Sequence, residues 1–538
     1  MTYLVNDIVL PLDFVAGEAF SQAGKRLRAA GILPPSDTRY ALFRRSVDAR
    51  KRDEVRFVVS VLCEGDFPIL PDEQLKKHRI SVRKEAKIEI GRPDRRLSAR
   101  PVIVGCGPAG LFAALTLAEQ GYKPILLERG ASLSDRILQI KRFRQTRILD
   151  PSTNIQFGAG GAGTFSDGKL VTRINDPITS YVLNRFVSFG APDEILLNAK
   201  PHIGSDLLTG VLGRMIRYLE ESGTEFHFKT NVTGIRMAGN SAVAVETDGK
   251  ETIPCGALLL ALGNSSYDLF LRMLSDGHPI EPKPFSVGMR IEHPQQAIDE
   301  ALYGSFAGHP NLGHAEYTLS ADTSSRGVYT FCMCPGGEVV AAASETGTVV
   351  VNGMSLHARN GKNANSAVAV SVFPEDFGNT PVGAIEFRRK IEREAYRFGG
   401  GRYVAPAVTV GDLLNGTARN PVGSVLPSYL DGDIRIVDPS LYLPSFVTEG
   451  LARGIRAFDR QIRGFSSPDA VLTGPETRTS SPIRIHRDEN RVMLGTDNVF
   501  PVGEGAGYAG GITSSASDGI RSAVALMSRF SSSDGYSA

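Results

Sequence analysis

The chain of 538 residues contains no tryptophan and only five cysteines. Those five, Cys63, Cys106, Cys255, Cys332 and Cys334, are odd in number and unframed by any regular spacing, so a disulfide scaffold is excluded and a reducing compartment is expected. Long uninterrupted apolar runs are also lacking. The longest charge-free stretch, Pro101 to Ala118, is broken by Gly105, Gly107, Pro108 and Gly110, which reads as strand, turn and helix, so no membrane partner is expected. Met1 to Phe20 has no basic leader and carries Asp7, Asp13 and Glu18 through its apolar residues, which excludes a signal peptide and makes a cytoplasmic location the expectation. Charge of one sign is not in excess either. A net charge of +2 gives the whole chain no field that would attract a polyanion. There is no Ser-His-Asp elbow, no Walker lysine motif and no metal-binding helix signature, so no metal site is expected.

What is present is ordinary globular composition, with 42% hydrophobic and 22% charged residues, and a length that calls for two to four domains. Residues 1–98 read as a small α/β domain: strand at 2–14, helix at 16–30, strands at 38–48 and 54–64. It is basic, since residues 1–100 hold 20 Lys and Arg against 14 Asp and Glu. An RNA-binding face and a merely solvated one both fit that charge. Without an aromatic-rich RNA module the solvated face is favoured over a nucleic-acid partner. Residues 99–265 and 485–538 read as a discontinuous nucleotide-binding domain, and 266–484 as an inserted mixed α/β substrate domain rich in short strands. The fold class expected is therefore α/β, Rossmann-like, with an inserted domain and a small N-terminal one.

The 57 glycines matter through their clustering. Gly105-x-Gly107-x-x-Gly110 follows a strand, opens a helix and precedes Glu128 at the end of the next strand, which is the context that gives this pattern meaning. Gly105 permits the turn, Gly107 lets backbone approach a pyrophosphate, and Gly110 lets the helix pack on the strand. Pro108 and Ala109 begin the helix whose amides face the phosphates. Glu128 is expected to accept from ribose hydroxyls, with Arg129 beside it and Gly263 after the strand at 257–262. A second cluster, Phe157 to Lys169, supplies Gly160, Gly161, Gly163 and Thr164 for a loop over the pyrophosphate or the inner flavin edge, with Ser166 and Asp167 as further polar candidates. A third, Val502 to Ile512, places Gly503, Glu504, Gly510, Gly511 and Ile512 where a late strand would return to the nucleotide domain. Glu504 would meet the ribitol, and the helix from Ile512 would direct its N-terminal amides at flavin N1 and O2.

These segments, with Lys283 to Pro294, Phe331 to Gly337 and Val351 to Met354, resemble a bacterial family of FAD-dependent dehydrogenases over nearly the whole chain. One departure stands out: the family pattern has an acid after Phe157-Gly158, where this sequence has Ala159. The resemblance implies FAD as cofactor, an oxidoreductase acting on a small molecule of unassigned identity, and a substrate domain containing Arg290 and His293. Those two are the catalytic candidates, as a cation for an acidic substrate or the flavin and as a proton carrier. With no second dinucleotide unit legible, NAD(P)H is expected only as a transient donor. The sequence assigns no oligomeric state. Two rival readings are an FAD-dependent RNA-modifying protein and a module in which flavin is structural. Cys332 and Cys334, two apart, would face one side of a strand, and are read as buried structural cysteines rather than as a relay to flavin.

Overall fold

The computed structural model describes residues 1–83, 89–171, 177–323, 326–419, 422–533. At the N-terminus, strands Thr2–Leu10, Arg39–Asp48, Arg56–Glu64 and Ile80–Val82 form an antiparallel sheet in the order second, third, first, fourth, with helix Ala16–Ala29 packed on it. Tyr3, Val5, Ile8 and Leu10 point inward between more exposed neighbours; the two-residue period holds on either side of a bulge between Val5 and Ile8, where Asp7 has φ 55° and the phase shifts by one. This core is continuous with that of the inserted domain.

The nucleotide domain is a five-stranded parallel sheet in the order Val499–Pro501, Ala257–Leu260, Pro101–Val104, Ile125–Leu127, Glu225–His227. Its central strands are apolar at every position because both faces are covered, as parallel sheets require. The edge strand at Val499 belongs to the far end of the chain, beyond the whole inserted region, so the domain closes only when the C-terminal segment returns. Helix Pro108–Ala118 is buried almost all round, between the sheet and helix Ile512–Arg529. Gly110 makes that contact feasible: a Cβ there would stand 1.9 Å from the carbonyl oxygen of Gly105.

The inserted region is more regular than its sequence suggests. Its seven-stranded sheet runs Ser320–Thr323, Arg326–Cys334, Asn363–Val372, Phe285–Pro294, Val471–Glu476, Ala405–Thr409, Ile434–Ile436, backed by helices Pro381–Gly399 and Ser445–Asp459. Phe285 to His293 is buried on both faces, so the strand shows no alternation from which it could be read. Among the described residues, no helix is long and apolar enough to cross a membrane.

Candidate functional site: a cavity between the parallel sheet and the inserted domain

The parallel strands end at a cavity roofed by the inserted sheet, the position at which open α/β folds bind ligands. One wall is the turn and helix start Gly105, Gly107, Pro108 and Ala109. Gly105, at φ 110°, turns the chain back beside Ala261, leaving no room for a Cβ. The loop after Phe157 lies against this turn. Gly160 donates its N–H to the carbonyl of Cys106 (2.8 Å), and a Cβ on Gly161 would come within 2.8 Å of the Gly107 Cα. Gly163 touches Ile512, so the three glycine clusters meet at one place although most of the chain separates the first from the last.

Arg136, fully buried, fixes the loop by donating to the carbonyls of Asn154, Ile155, Gly158, Ala159 and Gly161. Burial pulls its guanidinium down to about 10, with the Glu128 carboxylate as the main opposing influence. Ala159, where the family pattern has an acid, is wholly buried in this loop.

Of the positions expected to contact cofactor, Gly105, Gly107, Pro108, Ala109, Glu128, Arg129, Gly161, Gly163, Gly263, Glu504, Gly510, Gly511 and Ile512 line the cavity. Gly110, Gly160, Thr164 and Gly503 are not in its lining. Gly110 and Gly160 shape it through the packing just described, and Gly503 donates its N–H to the Asp518 carboxylate. Thr164 is fully buried with its hydroxyl unpartnered. Glu128 is more committed than expected, because its carboxylate already accepts from the N–H groups of Cys106, Gly130 and Gly158, each at 2.9 Å. A carboxylate offers about four lone-pair sites, so roughly one remains for a ligand. Arg129 pairs with Asp268 (2.8 Å) and lies over the ring of Phe157.

At the other end Glu504 accepts from Asn264 (2.6 Å) and also lines the cavity. Burial pushes its carboxyl up, against the pull of Asn264, Arg388 and Lys283. The inserted domain contributes Phe331, Cys332, Cys334, Asn352, Glu476 and Arg478. None of Asn264, Asn352, Glu476 or Arg478 is legible in the sequence, for they come from loops and strand ends that only the tertiary fold assembles.

The structure brings neither Arg290 nor His293 to the cavity lining. Arg290 is fully buried behind it, and its five N–H groups are all taken: two by Glu476 (2.7 and 2.9 Å), the others by Cys332 O, Asn365 Oδ1 and Asn352 Oδ1. With no donor left it cannot receive an acidic substrate; it braces three lining residues instead. His293 is buried against Phe465, with Nε2 2.8 Å from that residue's carbonyl and Nδ1 unpartnered. Burial pushes its imidazole down to about 4, a poor proton carrier near neutral pH.

The two cysteines also differ from expectation. A bulge between Phe331 and Cys334, with Cys332 at φ 45°, leaves Cys332 exposed and Cys334 buried rather than both on one face. The accessible surface of Cys332 faces the cavity, and the protein packed round that wall pushes its thiol up, while burial pushes Cys334 up to about 11, so both stay protonated thiols.

The cavity suits FAD on its own features: glycine turns with no room for Cβ atoms, two helix N-termini at its wall, and carboxylates at both ends. The comparisons agree. Residues 99–269 match the pyridine nucleotide-disulphide oxidoreductase family, and residues 284–479 the FAD-dependent protein, C-terminal domain-like family. A Clostridium beijerinckii protein described as uncharacterized is 41% identical over 536 residues, covering 98% of this chain and 99% of that one. Similar solved structures include CtdE in complex with FAD, at 13% identity and TM-score 0.31, covering 80% of this chain and 84% of that one. Another is L-amino acid deaminase from Proteus vulgaris, at 14% identity and TM-score 0.24, covering 38% and 63%. These structural overlaps are too slight to bear on chemistry. The chain belongs, with its Clostridium relative, to a family of FAD-dependent oxidoreductases that join a pyridine nucleotide-disulphide oxidoreductase domain to an FAD-dependent C-terminal domain.

Proposed function

We propose that the protein is a dehydrogenase or reductase for a small organic molecule, which enters between the inserted sheet and the redox end of bound FAD. The observation that carries this reading is the single cavity running from Glu128 to Glu504 and on to Phe331, Asn352 and Glu476. When bound, FAD supplies two-electron redox chemistry. The amides at the start of helix Pro108–Ala118 and the loop 157–163 receive the diphosphate, and Glu128, through its remaining lone pair, a ribose hydroxyl. Glu504 accepts from the ribitol, and the N-terminal amides of helix Ile512–Arg529 face the end where negative charge collects on reduction.

Arg290 is a positioning residue in this account. It holds Glu476, Asn352 and the Cys332 carbonyl in the wall that a substrate meets. NAD(P)H, as a donor, docks transiently at the cavity mouth. The test is anaerobic: mix the flavin-loaded protein with NADH, NADPH or reduced ferredoxin and follow the visible flavin bands. Rapid bleaching by one of them supports the reading and names the donor. A flavin that resists all three and photoreduction as well would leave it a structural module.

A further inference from the structure

Beside the cavity stand four charged side chains that the reading above leaves unused. Asp167 and Lys169 line the cavity, and behind them lie Arg359 and Glu316 of the inserted domain. Arg359 Nε donates to Asp167 Oδ1 at 3.0 Å and Nη1 to Glu316, while Lys169 Nζ lies 3.4 Å from Asp167 and 3.0 Å from Glu316. Every acid therefore meets both cations, and the set is neutral. The side chains of Asp167, Glu316 and Arg359 are at most 12% exposed, and the nearest further cation, Lys200, is 4.0 Å from Glu316 and faces solvent.

This arrangement is held at a cost. Arg359 has φ 50°, a conformation that L residues adopt only where surroundings impose it. The turn imposing it is so tight that a Cβ on Gly336 would fall 1.6 Å from the Arg359 carbonyl oxygen. A buried quartet of this kind contributes little to stability compared with apolar packing of equal volume. In a wall shielded from bulk water, however, each charge is screened less than at the surface and acts on whatever occupies the cavity, and the balance of the four keeps their joint field small.

We propose that Asp167, Lys169, Glu316 and Arg359 form a charge-balanced quartet that sets the reduction potential of the bound flavin. The proposal rests on FAD occupying the cavity. Reduction adds two electrons and at least one proton, and where only one proton arrives the cofactor gains a negative charge. Loss of a cation from the quartet then disfavours the reduced state, and loss of an acid favours it. A purely structural role would make every variant worse in the same sense.

The experiment is dye-equilibrated measurement of the midpoint potential of flavin-loaded wild type, Lys169→Met, Asp167→Asn and the double variant. Lys169→Met is expected to lose at least tenfold in preference for the reduced state, about 30 mV lower for a two-electron couple, and Asp167→Asn to gain as much. The double variant, again neutral, returns close to wild type. Arg359→Met replaces Lys169→Met, and Glu316→Gln replaces Asp167→Asn, should either fail to retain flavin. Shifts of the same sign in both single variants, or no shift in either, overturn the proposal. A wild-type protein that takes up no FAD defeats the cofactor assignment itself, a distinct result.

Discussion

Replacing Gly161 by alanine probes the junction on which the cavity depends. Gly161 has φ 68° with ψ −172°, a backbone region essentially reserved for glycine, and an L residue there costs about 1–3 kcal/mol. Its new Cβ would also stand 2.8 Å from the Gly107 Cα, a contact only backbone movement can relieve, and such overpacking adds about 1–3 kcal/mol. Relief means lifting the loop 157–163 off the phosphate turn. If roughly half of the combined strain, about 1–3 kcal/mol, falls on the liganded state, FAD affinity drops about 5- to 140-fold, since about 1.4 kcal/mol is tenfold. Titrating apo-protein with FAD and following flavin fluorescence measures this directly. Gly121→Ala is the control, because Gly121 has φ 78° but a Cβ there would meet nothing within 4 Å, and it lies beyond the far end of the helix. It should lower the melting temperature and leave FAD affinity unchanged. Wild-type affinity in Gly161→Ala, or equal loss in both variants, would refute the argument.

Three further outcomes follow from the same geometry. His293, about 4 in the fold against 6.5 ordinarily, binds its proton more readily when unfolded, so its contribution is present above about pH 6.5 and is lost as pH falls towards 4. Urea unfolding across that window should show about 3 kcal/mol of decline, flattened in His293→Phe; an unchanged slope counts against the burial argument. Cys332 opens into the cavity, where the protein around it pushes its thiol up, so iodoacetamide at pH 8 should modify it more slowly than a free thiol, with a rate that climbs as pH rises beyond 9; labelling at pH 8 as fast as a free thiol would show the thiol is not held protonated. Arg290→Met strands the Glu476 carboxylate without its cation and should cost about 3–5 kcal/mol in denaturant unfolding, whereas a loss below about 1 kcal/mol would show that Arg290 braces nothing.

The nucleotide half of the fold is legible in the sequence because its signals are local. Gly105 and Gly110 each perform a backbone task that only glycine can, Gly107 keeps the wall of the cavity clear of a side chain, and the chain writes all three within six positions of one another. Glu504 and Gly511 are legible for a related reason, as turn residues between a buried strand and a helix. The substrate wall is not. Arg290 and His293 stand in a strand whose two faces are both buried, and nothing in its sequence says which face looks towards the cavity. Arg359 gives no sign at all, since its importance comes from a partner 192 positions away and from a turn made by Gly336. Glu128 shows the limit of a motif: its position follows from the pattern, but its three backbone donors do not.

The central claim is that one cavity, built from three distant glycine clusters, holds FAD. Its most direct test is to purify the protein, release any bound flavin by heat, and identify and count it by chromatography and mass spectrometry. The account predicts FAD at close to one per chain, retained after reconstitution of stripped protein. FMN in its place, or protein that is colourless and stays so after incubation with FAD, would contradict it.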